Sequence, residues 1–213
     1  MRGLILKDFW IIKDTIKTTL AILVILLVYC LFRQQAIGLV IVPTLICAAT
    51  STSSLKLDYG MKWDKIALTM PINRKDIVRS KYIELLILCV FGLIMGIIFG
   101  IVANIVGYIE MNSNTIYIGI ICGALGLVSG SVHLFLLYKF GGDNLENSEI
   151  LLFVAYGIGI AVTVAILFVY RSILEMSFGN IGFLSLIYLS VAFCVLLISY
   201  KMSVLSYSKK ELC

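Results

Sequence analysis

The sequence predicts an all-α polytopic membrane protein with six transmembrane helices, an N-terminal amphipathic interface helix and both termini in the cytoplasm. Three observations carry that prediction. Mean hydropathy is +1.07 and only 14% of the 213 residues are charged, leaving more apolar surface than a soluble core of this size can hide. The apolar residues gather into runs, and a helix of roughly 20 such residues crosses a hydrocarbon core of about 30 Å. The 17 basic residues collect in the segments between alternate runs, as cytoplasmic loops do.

Residues 1–17 come first. Ile5, Phe9, Ile12 and Ile16 recur on one face of a helix, with Lys7, Asp8, Lys13, Asp14 and Lys17 at polar positions. This pattern predicts a helix lying at the cytoplasmic interface with Trp10 as its anchor. A plain helical extension of the first span is the alternative. Four basic residues ahead of an apolar run imitate a signal peptide. The basic region is long and amphipathic, however, and no small-residue cleavage site follows, so retention is expected.

The first two spans are Thr18–Phe32 and Ala36–Leu55, parted only by Arg33-Gln34-Gln35. As one helix they would reach about 57 Å at 1.5 Å per residue, nearly twice the core thickness, so a tight polar turn is expected between them. The remaining spans are Tyr82–Gly107, Thr115–Tyr138, Ile150–Tyr170 and Ile181–Tyr200. With both ends inside, the cytoplasmic segments hold Arg2, Lys7, Lys13, Lys17, the seven basic residues from Lys56 to Lys81, Lys139, Lys201, Lys209 and Lys210. Only Arg33 and Arg171 fall outside. Five spans would put one terminal cluster on the wrong face.

The external segments Tyr108–Asn114 and Arg171–Asn180 are short, and Gly141-Gly142-Asp143-Asn144 opens a turn on the cytoplasmic side. No internal repeat or low-complexity linker divides the chain, so residues 1–213 read as one membrane domain. A net charge of +5 beside long apolar runs marks cytoplasmic loops, with no nucleic-acid partner expected. The six cysteines (Cys30, Cys47, Cys89, Cys122, Cys194 and Cys213) have no C-x-x-C spacing, and all but the last lie in apolar runs. They read as small hydrophobes, with no metal site expected.

The loop from 56 to 81 carries more than charge. Trp63, Ile66, Ala67 and Met70 share one face of a short helix, with Lys62, Asp64, Lys65 and Thr69 on the others. Pro71 ends that helix by pushing Met70 out of the helical region and offering no N–H. Asn73 can cap the next helix, with Asp76 three residues on. From Arg74 to Gly107 nothing breaks the pattern, giving about 51 Å of helix, two or three turns of it below the membrane. Such a loop, with a transverse helix, a proline corner and a long helix entering the bilayer, suits docking of a soluble partner. Orientation of the spans by charge alone is the competing account.

"WDKIALTMPINRKDIVRSKY" resembles the corresponding segment of permease subunits of the ABC type-2 transporter family, and "MRGLILKDFWIIK" looks like that family's opening. The two segments cover about 35 residues, and the six-span plan covers the rest. The nearest resemblance is to small permeases that export amphipathic, phenol-soluble-modulin-like peptides. It implies a permease of an ATP-driven exporter in the cell membrane of a bacterium, paired with a second permease copy or paralogue and with ABC ATPase subunits. It further implies a coupling helix that docks on the ATPase. Trp63, Asp64 and Lys65 would lie on that helix, and Pro71, Ile72, Asn73, Arg74, Lys75 and Asp76 would form the corner beneath the third span. ATP and Mg would then be bound by the partner, since no G-x-x-x-x-G-K-S/T phosphate loop occurs in this chain.

Gly92, Gly96 and Gly100 form a small-residue stripe in the third span; Gly119, Gly123, Gly126 and Gly130 form another in the fourth. Such stripes let helices approach closely, so these spans are expected to pack on each other or on a second copy. His133, the only histidine, lies deep in the fourth span near Ser129 and Ser131. It reads as a packed, hydrogen-bonded group or, alternatively, as a functional one. Asn104 reads the same way. Glu84 is expected to face cytoplasmic water or the basic loop, and Glu110 and Glu175 sit in or beside external turns.

A self-contained secondary transporter would carry acidic residues or broken helices near the midplane. No Asp or Glu is central to any predicted span. A membrane-embedded enzyme would need convergent nucleophile, base or metal ligands, which one His and scattered Cys do not supply. A cavity between two permease copies could be surfaced by Tyr29, Phe32, Phe153 and Tyr156, with Asn104 and His133 as its polar members; the aromatic positions could equally face lipid.

Overall fold

Among the described residues, six helices are built from the apolar runs: α1 (Arg2–Phe32), α2 (Ala36–Gly60), α3 (Arg74–Ile105), α4 (Ser113–Phe140), α5 (Leu145–Leu174) and α6 (Ile181–Lys209). The structure, a computed structural model, describes residues 2–61, 63, 73–107, 110, 112–140, 145–174 and 181–209. There is no strand among them. Among the described residues, four helical segments are long and apolar enough to cross a membrane: Ala36–Asp58, Arg74–Ile105, Ser113–Phe140 and Ile181–Ser208. Shorter apolar helices run over Thr19–Phe32 and Phe153–Ile166. The protein is an all-helical polytopic membrane protein.

The helix ends follow local chemistry. At the close of α1, Gln35 N–H donates to the Cys30 carbonyl and Gln34 N–H to that of Leu31. These two bonds satisfy carbonyls that the helix leaves open, in the pattern of a Schellman cap. Gln34 takes the left-handed conformation this requires, at φ 52°. Ala36 then begins α2, so the Arg33-Gln34-Gln35 turn lies between the two helices as the sequence predicts. The other end of α1 differs from expectation. Residues 2–17 continue into the first span without a break, as the plain-extension alternative has it.

Two further departures lie near the loop. α2 runs to Gly60, five residues beyond the predicted span end at Leu55, because Lys56 to Tyr59 include no helix breaker and Gly60 is the first. Asn73 does stand at the N-cap of α3, in extended conformation, but its side chain makes no cap hydrogen bond. Backbone bonds from Asp76 and Ile77 to the Asn73 carbonyl start the helix instead. The transverse helix and proline corner, with Asp64, Lys65, Pro71 and Ile72, lie outside the described residues.

The core is a packed group of α2, α3, α4 and α6, with α1 laid against α2 and α5 against α4. Leu85, Val78 and Tyr82 of α3, Leu134 and Tyr138 of α4, and Tyr188 and Tyr207 of α6 fill it. α3 and α2 come together where α3 has no side chains. An added Cβ at Gly92 would lie 2.8 Å from the Pro43 carbonyl oxygen, and one at Gly96 would lie 2.7 Å from that of Val40. The proline sits inside α2, where it cannot bond the carbonyl one turn before it.

Candidate functional site

Where the ends of α2 and α3 meet, four charged side chains are drawn together. Ser54 and Asp58 stand one turn apart on α2, and Lys81 and Glu84 are three residues apart on α3, so each pair shares one face. Lys81 Nζ lies 2.7 Å from Asp58 Oδ2 and 3.8 Å from Glu84 Oε2, and donates to Ser54 Oγ at 3.0 Å. Ser54 Oγ donates in turn to Glu84 Oε2 at 2.9 Å. Lys7 comes over from α1 and places Nζ 2.8 Å from the other Asp58 oxygen. Among the described residues, two ammonium groups here meet two carboxylates.

Burial makes this arrangement consequential. The Lys81, Asp58 and Glu84 side chains are 2%, 5% and 0% exposed. A lone charge so placed would be expelled or neutralised; the four persist because each has an opposite neighbour. Removing one partner of such a buried pair costs about 3–5 kcal/mol. Of the two surroundings expected for Glu84, the structure supplies the basic loop and not cytoplasmic water. The carboxylate does reach Lys81 of the basic loop, but it is sealed from water.

Two other contacts fix the root of the loop. Arg74 Nη1 donates to the Ser208 carbonyl at 3.1 Å and to that of Tyr207 at 3.4 Å, putting a guanidinium on the carbonyl end of α6, where a cation is favoured. Tyr82 OH shares hydrogen bonds of 2.8 Å with Ser199 Oγ and Ser203 Oγ, and Ser199 Oγ donates to the Ser131 carbonyl at 2.6 Å. The first turns of α3 are therefore tied to α2 by charge and to α6 by hydrogen bonds.

Of the residues expected to dock a partner, Trp63 is half-buried and packs against the core. Its ring lies under Lys7 Nζ, 4.1 Å from the centroid. Lys75 and Asn73 are exposed, Arg74 and Asp76 half-buried. The glycine stripes are sorted by partner. Gly92 and Gly96 face α2, and Gly126 faces Ala48 of α2, while Gly123 and Gly130 receive Leu93 and Leu85 of α3. Gly119 packs on Val40 of α2, and Gly100 is buried in α3. The expected α3–α4 contact exists, but α2 takes most of the α3 stripe, a partner that the glycine spacing does not indicate.

The six cavity candidates do not converge within one chain. Phe32 and Phe153 are 85% and 74% exposed, on α1 and α5, and those two helices make no contact among the described residues. Tyr29 is exposed and accepts a hydrogen bond from Arg33. Asn104 is exposed, His133 fully buried, and Tyr156 turned toward Ser129 of α4. A cavity of about 780 Å³ lies elsewhere, between α1 and α3 over α2. Leu23 and Leu27 of α1, Leu39 and Cys47 of α2, and Phe91 and Phe99 of α3 line it. Among the described residues no cluster of His, Cys, Asp or Glu could hold a metal ion.

The sequence assigns Lys7 and Lys81 an orienting charge, and Lys7 also a polar helix face, but no role to Ser54 and Asp58. A signal was present. Asp58 follows an apolar span by three residues, and Lys81 and Glu84 open another at helical spacing. Nothing linear says that they meet.

A family model described as ABC-2 family transporter protein matches residues 3–208. No curated protein and no solved structure matches the chain.

Proposed function

The chain belongs to the ABC-2 transporter family, and from that premise we propose that this ABC transporter permease subunit is driven by a separate ATPase through its 56–81 loop and exports amphipathic peptides. The family is a membrane transport component, not itself catalytic. In the proposed assembly six spans cross the cell membrane of a bacterium with both termini inside, a second permease copy completes the pathway, and ATP and Mg are held by the partner ATPases.

One observation carries the coupling step: both roots of the loop are fastened to each other. Asp58 and Ser54 on the side that enters the loop are bound to Lys81 and Glu84 on the side that leaves it. Displacing the loop therefore displaces the ends of α2 and α3 as one body, since separating them would strand buried charge. Arg74 extends the same body to α6. A loop rooted in this way turns a push from below into a tilt of packed spans. The substrate class rests on the resemblance of residues 63–82 to permeases for phenol-soluble-modulin-like peptides, and the apolar cavity between α1 and α3 offers such a peptide's hydrophobic face a surface.

Co-purification of the permease with an ABC ATPase, followed by peptide-stimulated ATP hydrolysis in nanodiscs, tests the proposal. Amphipathic helical peptides are expected to raise hydrolysis, and Trp63→Ala with Asp64→Ala to abolish binding of the ATPase. Failure of the permease to bind an ATPase, with transport intact in the double variant, overturns it.

A further inference from the structure

Trp63 is held from a direction the loop itself does not supply. Lys7, on the second turn of α1, has one ammonium group that meets two partners at once: the Asp58 carboxylate at 2.8 Å and the Trp63 ring at 4.1 Å. Asp58 is not free to follow Lys7, because its second oxygen is held at 2.7 Å by the buried Lys81. The cation is thus anchored on a fixed carboxylate and presents its charge to the face of the indole, the geometry in which a ring quadrupole attracts a cation. α1 is continuous from Arg2 to Phe32, so the 26 residues from Lys7 to Phe32 make a single helix of about 39 Å at 1.5 Å per residue.

We propose that Lys7 is a positioning residue that clamps Trp63 through Asp58, so that the coupling loop pulls on the first transmembrane helix directly as well as on α2 and α3. This rests on the reading that the loop is driven by an ATPase. Its consequence is specific: the α1 wall of the apolar cavity, with Leu23 and Leu27, moves with the loop, while the α3 wall moves through Lys81. Both walls then respond to one displacement, and the cavity between them changes shape.

The chain has two tryptophans, so a Trp10→Phe background leaves Trp63 as the sole reporter. In nanodiscs without ATPase, Lys7→Met is expected to raise acrylamide quenching of Trp63 about twofold, as release of a cation–π contact implies, while Lys7→Arg stays at the parent value. At saturating ATPase, Lys7→Met is expected to lower peptide exported per ATP hydrolysed about fivefold, the low end of ordinary coupling between sites, with Lys7→Arg restoring the ratio. A merely stabilising Lys7 would leave that ratio alone. Lys7→Gln serves as the second neutral variant, with the same expectation, should Lys7→Met not fold. Unchanged quenching or an unchanged ratio in the neutral variant overturns the proposal. A parent chain that binds no ATPase sinks the coupling reading instead, and the quenching arm still decides the clamp.

Discussion

Gly96 and Gly157 are both glycines within apolar helices, and the sequence treats them alike. Their surroundings do not. A Cβ at Gly96 would meet Val40 oxygen at 2.7 Å and Val40 Cα at 3.0 Å, both backbone atoms, whereas a Cβ at Gly157 would meet nothing within 4 Å. Gly96→Ala must force α2 and α3 apart, and overpacking of this kind costs about 1–3 kcal/mol. Gly157→Ala removes backbone freedom without a clash and is expected to stabilise by up to about 1 kcal/mol. Thermal unfolding of both variants in one detergent should give shifts of opposite sign; shifts in the same direction would refute the assignment of α2 as the partner of the α3 stripe. The spacing of Gly92, Gly96 and Gly100 was legible in the sequence. Which helix fills the groove was not, because a stripe of small residues names no partner. Charge has the same asymmetry: Lys81 reads as one more orienting cation, and only its position against Asp58 makes it a buried tie.

At the scale of elements, boundaries were legible where local chemistry sets them. The three polar residues after Phe32 marked the α1–α2 turn, and Asn73 and Arg74 marked the start of α3. The amphipathic pattern of residues 4–17 could not decide between a separate surface helix and an extension of the span, since both share one periodicity and no breaker intervenes. The turn itself contains a residue at odds with its place. Gln34 holds φ at 52°, where a Cβ costs roughly 1–2 kcal/mol and glycine pays nothing comparable. Gln34→Gly is therefore expected to stabilise the α1–α2 hairpin by about 1 kcal/mol, visible as a raised midpoint of thermal unfolding. A lowered midpoint would show that the Gln34 side chain contributes more than its backbone strain removes. α3 ends on the residue type its conformation favours: Gly107, at φ 76°.

At the scale of the whole molecule, membrane orientation follows from where the cations lie. Gln35 and Lys75 are both exposed and stand at opposite ends of the α2–α3 unit. Cysteines introduced there, Gln35→Cys and Lys75→Cys in a cysteine-free chain, are expected to label from opposite sides of sealed vesicles, with Lys75→Cys reached from the cytoplasmic face. Labelling of both from one side would overturn the proposed topology. The packing also ranks the helices. α2, α3, α4 and α6 are knitted through buried tyrosines, serines and charges, while α5 leans on α4 at Gly159 against Ser129. In the proposed coupling, motion at the loop roots passes first into α1, α2, α3 and α6, and α5 follows through α4.

The sequence by itself determined that the chain is a bundle of apolar helices in a membrane, where most of those helices begin and end, and which loop carries the surplus of charge. Each of these depends on local composition and spacing, which a linear reading contains. Only the tertiary structure decided that Lys7, Asp58, Lys81 and Glu84 meet in one cluster, that Gly92 and Gly96 of α3 pack on α2, and that the aromatic cavity candidates sit on α1 and α5, with no contact between those helices among the described residues. Those facts depend on which faces meet across 20 to 75 residues of chain, and a periodic apolar pattern is satisfied equally well by lipid or by any neighbouring helix.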